Sequence, residues 1–220
     1  MQIYIIRHGE TDWNVKRLLQ GRSDARLNEN GIRLTEITAE AMRDIPFTIC
    51  YSSPSVRALD TARIILGNRN VPIIKEPALY EMDFGALEGK SLHPDHPEIE
   101  RPACLKMHED PFVYTPPEGG ESLQEVVARC GSFLSGLAED REKEKDIILL
   151  STHGLASRAL LYNVPGQDDD FWHGLVPPNC AVTILETKGK SLRLIERDKI
   201  YYPKSFLQDY YAELKSGRTS

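Results

Sequence analysis

The chain has 220 residues, with 27 Lys and Arg against 33 Asp and Glu for a net charge of −6; with no polybasic run, this argues against nonspecific nucleic-acid or anionic-membrane binding. Hydrophobic residues make up 40%, enough for a soluble protein with a real core, and no apolar run is long enough to span a bilayer. Cys50, Cys104, Cys130 and Cys180 are scattered without a C-x-x-C pair, which argues against a disulfide framework or zinc site and for a reduced setting.

Met1-Gln2 leads directly into a strand pattern rather than a signal peptide, so a cytoplasmic location is expected. Ile3 to Ile6 reads as a buried strand, a short apolar run rich in β-branched residues. A polar loop follows through Gly21, and Asn28 to Ile45 has helical spacing. Phe47 to Tyr51 reads as a second strand. Ser53 as N-cap and Pro54 at the first helical position predict a helix to about Leu66, ended by Gly67. Val71 to Ile74 reads as a third strand, followed by a glycine-containing loop from Glu81 to Gly89.

Residues 91–120 carry Pro94, Pro97, Pro102, Pro111, Pro116 and Pro117, a density that forbids long regular structure and predicts an irregular flap. Glu121 to Lys143 reads as a helix, Ile147 to Leu150 as a buried strand and Gly154 to Tyr162 as a helix. Val182 to Leu185 and Leu192 to Ile195 pair as a hairpin around Lys188-Gly189-Lys190. Alternating strands and helices predict an α/β protein: a three-layer α/β/α sandwich with a mostly parallel, mixed central sheet. With no repeat, low-complexity segment or splitting linker, one domain spanning 1–220 with a flap insertion is expected.

In open α/β sheets ligands bind outside the carboxyl ends of the strands. Three unusual polar groups fall there: Arg7-His8 after the first strand, Arg57 a helical turn past the second, and Thr152-His153-Gly154 after Ile147–Leu150. Their convergence would give a compact cationic site suited to a phosphate. Gly9 and Gly154 each follow a histidine, where a missing Cβ lets backbone or ligand approach. A neutral imidazole can attack phosphorus and carry the phosphoryl group. A second, protonated histidine and two arginines would neutralise the transferring oxygens. The leaving alkoxide needs a carboxylic acid, and Glu81, Asp83 and Glu88 in YEMDFGALEG are the candidates.

Arg7-His8-Gly9-Glu10-Thr11 with Trp13-Asn14 resembles the signature of the histidine phosphatase superfamily, also called phosphoglycerate mutase-like. The likeness continues in order through Gln20-Gly21, Asp24…Leu27-Asn28…Gly31, Ser52-Ser53-Pro54…Arg57-Ala58…Thr61-Ala62 and Glu81…Phe84-Gly85…Glu88-Gly89. Pro117-Glu118-Gly119-Gly120-Glu121-Ser122 and Ser151-Thr152-His153-Gly154 complete it. The resemblance implies His8 as the nucleophile that becomes phosphohistidine, and Arg7, Arg57 and His153 as the phosphate pocket. It implies Glu81 as proton donor and then base, and Asn14, Gln20, Gly21 and Gly154 as residues lining the phosphate or substrate pocket. It implies no metal and no organic cofactor. The expected partner is a phosphorylated small molecule, with a phosphopeptide among the candidates; oligomeric state stays open.

Two departures stand out. Arg26 occupies a position where many relatives have proline. The acid loop reads Glu81-Met82-Asp83-Phe84-Gly85 where mutases carry Glu-Arg-His-Tyr-Gly. Residues 91–120 offer Arg101 and Lys106 against Asp95, Glu98, Glu100, Glu109, Asp110 and Glu118, an acidic flap that favours hydrolysis over a mutase cycle needing a retained second phosphate. Phosphoglycerate mutase and a phosphate-binding module without turnover remain the rival readings. His93-Pro94-Asp95-His96-Pro97-Glu98 superficially suggests metal ligands, but its prolines forbid a helical ligand face; a substrate-gating flap, or next to it a plain exposed loop, is expected instead. Asp168-Asp169-Asp170 reads as a helix start, and Tyr201, Tyr202, Tyr210 and Tyr211 as a packing or dimer face.

Overall fold

The computed structural model describes residues 1–92, 98–99, 110–167, 170–173, 176–189 and 191–207. Its strands are β1 (Gln2–Arg7), β2 (Ile49–Ser52), β3 (Ile73–Lys75), β4 (Ile147–Thr152), β5 (Val182–Lys188) and β6 (Ser191–Lys199). Its helices are α1 (Asp12–Val15), α2 (Glu29–Ala41), α3 (Val56–Leu66), α4 (Leu123–Glu139) and α5 (Gly154–Tyr162). The strands form one six-stranded sheet in the order β3-β2-β4-β1-β5-β6. β2–β3, β2–β4 and β1–β4 pair in parallel; β5 runs antiparallel to both β1 and β6.

Side chains alternate across a strand, and here the alternation sorts two cores. Ile3 and Ile5 of β1 and Ile148 and Leu150 of β4 pack with Leu123, Val126, Cys130 and Leu134 of α4 and Leu155 and Ala159 of α5. Ile6 and Leu149 face the other way, onto Ala62, Ile65 and Leu66 of α3 and Met42 after α2. The expected three layers are therefore present. The chain leaves β1 toward the α2–α3 layer and leaves β4 toward α5 on the opposite layer. Because β1 and β4 are neighbours, a crevice opens between their carboxyl ends, where doubly wound sheets bind ligands. The pairing Arg7↔Thr152 closes the β1–β4 ladder immediately before His8 and His153.

Several boundaries differ from the sequence reading. The helix expected over Asn28–Ile45 ends at Ala41, with Asn28 as its N-cap accepting from the Gly31 N–H at 2.7 Å. The third strand is shifted to Ile73–Lys75, and both hairpin strands are longer than expected. The expected cap at Ser53 is incorrect: α3 starts at Val56 after Ser55, and Asp24 Oδ1 accepts the Val56 N–H at 3.2 Å from a different loop. Ser53 is freed to face His153. Of the flap, residues 91–92, 98–99 and 110–120 are described, including a 3₁₀ turn at Pro111–Val113. The His93–Glu98 motif lies outside the described residues except for Glu98, as do Asp168, Asp169, Tyr210 and Tyr211. Among the described residues, no helix is long and apolar enough to cross a membrane.

Candidate active site

β1 delivers Arg7 and His8 to the crevice, and β4 delivers His153. Both histidines are buried, 3% and 0% exposed, with ring centroids 5.2 Å apart. His8 Nδ1 lies 2.7 Å from the carbonyl oxygen of Gly9. A carbonyl can only accept, so Nδ1 carries the hydrogen and the lone pair is left on Nε2. Burial, then the nearby Arg57 and Arg7 guanidiniums, hold the His8 pKa well below the ordinary histidine value. The ring is therefore neutral and nucleophilic at neutral pH.

His153 is held by hydroxyls. Its Nε2 is 2.8 Å from Ser53 Oγ and 3.2 Å from Ser55 Oγ, and its Nδ1 is buried without a protein partner. Burial, then Arg57 and His8, lower its pKa well below the ordinary value. Burial and the neighbouring guanidiniums thus oppose the positive charge expected on this second histidine from sequence. When a serine hydroxyl donates to Nε2, the hydrogen sits on Nδ1, which is then a donor without a protein partner.

Arg57 is fully buried in the first turn of α3, so a surface ion pair with Asp60 is excluded; Asp60 pairs with Arg63 instead. The Arg57 guanidinium donates to the carbonyls of Ser23 at 2.7 Å and Gly21 at 2.6 Å. Burial is the main cause lowering its pKa to about 10, so it stays cationic at neutral pH. Arg7 donates through Nη1 to the carbonyl of Pro177. The Nε atoms of both arginines are buried without a protein partner, as is Gln20 Nε2.

The substrate-pocket residues expected from sequence are brought to the same region, some indirectly. Asn14 closes a capping box with Thr11 in α1, and its Oδ1 also lies 3.3 Å from Asn179 Nδ2. The Thr11 hydroxyl lies 3.0 Å from Gln20 Oε1. Gly21 contributes its carbonyl to Arg57. A Cβ there would fall 2.0 Å from Glu88 Oε1 and 2.4 Å from the Met82 carbonyl oxygen, so only glycine lets the Gln20 loop meet the acid loop. At Gly154, a Cβ would fall 2.6 Å from Val176 Cγ1 and 3.6 Å from Arg7 Nε.

Three carboxyls were candidates for the acid, and the geometry separates them. Glu81 is buried at the start of α5, accepting from the N–H groups of Leu155 at 3.1 Å, Ala156 at 2.9 Å and Met82 at 3.1 Å. Its pKa is raised: burial outweighs those hydrogen bonds and Arg57. Asp83 accepts from the Gly85 N–H at 2.9 Å and pairs with Arg22 at 3.4 Å. Glu88 accepts the N–H groups of Arg22 at 2.8 Å and Ser23 at 3.1 Å, and also the Ser23 hydroxyl. Asp83 and Glu88 are engaged in holding loops together.

The sequence reading missed a supporting set. Pro177–Cys180, the approach to β5, forms the rear wall: Asn179 Nδ2 donates to the His8 carbonyl at 3.0 Å, and the Cys180 N–H to the Arg7 carbonyl at 3.1 Å. Arg129 of α4 donates to the carbonyls of Ala78 at 2.7 Å, Tyr80 at 2.8 Å and Glu81 at 3.2 Å, and pairs with Glu121 at 3.0 Å. Pro-Pro-Asn before a strand signalled a turn and nothing more; nothing local marks Arg129 as anything but a helix surface residue.

Comparison with known proteins agrees with this arrangement. Residues 3–198 match the model of the histidine phosphatase superfamily, branch 1. The chain is 31% identical over 191 residues to a probable phosphoglycerate mutase GpmB of Proteus mirabilis, covering 83% of each. It superposes on Bacillus stearothermophilus YhfR with a TM-score of 0.82 and 28% identity, covering 90% of this chain and 97% of the other. It also superposes on a mycobacterial glucosyl-3-phosphoglycerate phosphatase complexed with VO3, at a TM-score of 0.77 and 27% identity, covering 90% and 98%. With ordered motifs, sheet and crevice all in agreement, the chain belongs to the histidine phosphatase superfamily.

Proposed function

We propose that this protein is a phosphatase that hydrolyses a phosphomonoester through a phosphohistidine on His8. The observation that carries the reading is the set of buried nitrogens without protein partners, Arg7 Nε, Arg57 Nε, Gln20 Nε2 and, in its Nδ1–H tautomer, His153 Nδ1, beside a neutral His8 whose lone pair is on Nε2. Buried donors left unpaired are costly, and a phosphate dianion supplies acceptors for all of them.

In the first step the Nε2 lone pair attacks phosphorus and the bond to the ester oxygen breaks. Glu81 is the acid, its raised pKa keeping a proton available to the departing alkoxide. In the second step the Glu81 carboxylate takes a proton from water as its oxygen attacks phosphorus. The P–N bond breaks, its electron pair returns to Nε2, and inorganic phosphate leaves. Arg7, Arg57 and the His153 Nδ1–H stabilise the transferring oxygens in both steps. Asn14, Gln20, Gly21 and Gly154 line the pocket. No metal or organic cofactor enters this scheme. The substrate is a phosphorylated small molecule or a phosphopeptide handled in the cytoplasm, and the chain acts as one domain.

A mutase cycle is the second reading, favoured by the resemblance to the Proteus protein. Against it, the 91–120 segment is acidic, and Arg22 near the acid loop is already paired with Asp83 and Glu121. The test is acid-quench trapping of labelled phosphohistidine, with phosphate release measured across a panel of phosphorylated metabolites and phosphopeptides. Interconversion of 3- and 2-phosphoglycerate with a bisphosphorylated primer, exceeding phosphate release, would replace hydrolase by mutase. No labelled His8 with any substrate would leave a binding module.

A further inference from the structure

His8 is followed by a glycine, the residue whose backbone turns most freely, yet the Gly9 carbonyl is what fixes the His8 ring. Such an arrangement keeps one ring orientation only if the peptide joining the two residues cannot rotate. That peptide is held at both ends. Its carbonyl, on His8, accepts from Asn179 Nδ2 at 3.0 Å, with a longer 3.4 Å contact from the Cys180 N–H. Its N–H, on Gly9, donates to Thr61 Oγ1 at 3.0 Å.

Each holding group is anchored in turn. The Thr61 hydroxyl donates to the Arg57 carbonyl at 2.8 Å. Asn179 Nδ2 also reaches Asn14 Oδ1 at 3.3 Å, and the Asn179 carbonyl accepts from the Tyr202 hydroxyl at 2.7 Å. Thr61 is fully buried and Asn179 is 6% exposed, so water competes little for these bonds. Gly9 is also hemmed in, since a Cβ there would lie 2.6 Å from Thr35 Oγ1 and 2.7 Å from the Gly31 carbonyl oxygen. Close packing thus demands glycine, and glycine's freedom then demands a clamp.

We infer that Asn179 and Thr61 are positioning residues that lock the His8–Gly9 peptide plane and so keep the hydrogen of His8 on Nδ1 and its lone pair on Nε2. This rests on His8 being the nucleophile. Both residues act through His8. Thr61 serves twice, since the same hydroxyl joins the nucleophile's peptide to the helix turn that carries Arg57.

The experiment combines rapid-quench measurement of phosphohistidine formation from p-nitrophenyl phosphate with ¹⁵N imidazole NMR of the ligand-free protein. Asn179→Ala and Thr61→Val are each expected to slow phosphohistidine formation roughly 10–100-fold, the scale of a modest misplacement of a reacting group. KM should change much less. The His8 nitrogens should shift from one Nδ1–H tautomer toward a mixture, and Thr61→Ser should restore both readouts. Folded variants that form phosphohistidine at the wild-type rate overturn the clamp. A slowed rate with the single tautomer retained also overturns it. Should Asn179→Ala fail to fold, Thr61→Val and Thr61→Ser carry the test. A wild-type protein that forms no phosphohistidine at all would instead remove the proposed function, and the clamp with it.

Discussion

The Glu81 carboxylate accepts the Ala156 N–H at 2.9 Å, which joins the acid loop to the first turn of the helix that follows His153. A helix N-terminus favours negative charge, whereas removal from water favours the neutral acid. At Glu81 burial dominates and the pKa is raised. One carboxyl under two opposing influences suits a group that must give a proton in one step and take one in the next.

Glu81→Gln should therefore lower turnover of alkyl phosphates by about 10²–10⁴-fold, the usual worth of general acid–base catalysis. The first step with aryl phosphates, whose leaving oxygens need little protonation, should fall far less. Asp83→Asn should leave the alkyl-to-aryl ratio unchanged, because Asp83 is engaged with Gly85 and Arg22. Burst rates on matched alkyl and aryl substrates check this. An equal loss on both substrates in Glu81→Gln, or a changed ratio in Asp83→Asn, would assign the acid elsewhere.

The residues proposed to meet the phosphate were legible because each sits in a short local pattern: a strand running into Arg7-His8, another into His153, a helix start carrying Arg57. Strand periodicity and the rule placing ligands at carboxyl strand ends suffice to bring them together. The groups holding them were not legible. Asn179 lies 171 positions from His8, and its role depends on β5 pairing antiparallel with β1, a register that no local pattern encodes. Ser53 was misassigned because Ser-Ser-Pro also fits a helix cap. The true start, two residues on, is satisfied by Asp24 from another loop.

Acid should unfold the protein partly through His8. Its folded pKa lies below the ordinary value of about 6.5. Below that pH the unfolded chain binds a proton that the folded chain refuses, so stability falls as pH falls. The loss, at most about 1.4 kcal/mol per pH unit for one proton, ends once His8 protonates within the fold. His8→Asn removes this term and leaves His153 and Glu81 in place. Its melting temperature should decline less than the wild type's between pH 7 and pH 5, as followed by calorimetry. Parallel curves would mean that His8 is not held neutral.

Arg158 of α5 is 2% exposed and makes a two-pronged pair with Asp198 of β6, at 3.0 and 2.7 Å. Replacing the carboxylate by an amide leaves Arg158 only weaker, neutral hydrogen bonds at this position. Asp198→Asn keeps the shape and tolerates the left-handed backbone there, φ 54°. It should cost about 2 kcal/mol in urea unfolding, short of the ~3–5 for a fully buried pair because Asp198 keeps 23% side-chain exposure. A change under about 0.5 kcal/mol, the range of an ordinary surface substitution, would mean that water already screens the pair.

Arg129 offers a test of how far catalysis depends on a residue outside the pocket. Its guanidinium gathers the carbonyls of Ala78, Tyr80 and Glu81 while pairing with Glu121, which also accepts the Asp83 N–H at 3.0 Å. A lysine ammonium has three donors and no planar fork, so Arg129→Lys cannot satisfy all four groups. The loop carrying Glu81 should then sample other positions, lowering the alkyl-to-aryl rate ratio about 10-fold, within the range for a displaced catalytic group. Aryl phosphate KM should stay close to wild type because the proposed phosphate donors are untouched. Matched kinetics with calorimetry distinguish this from simple destabilisation. A lower melting temperature with the wild-type ratio would show that the α5 N–H groups alone hold Glu81 in place.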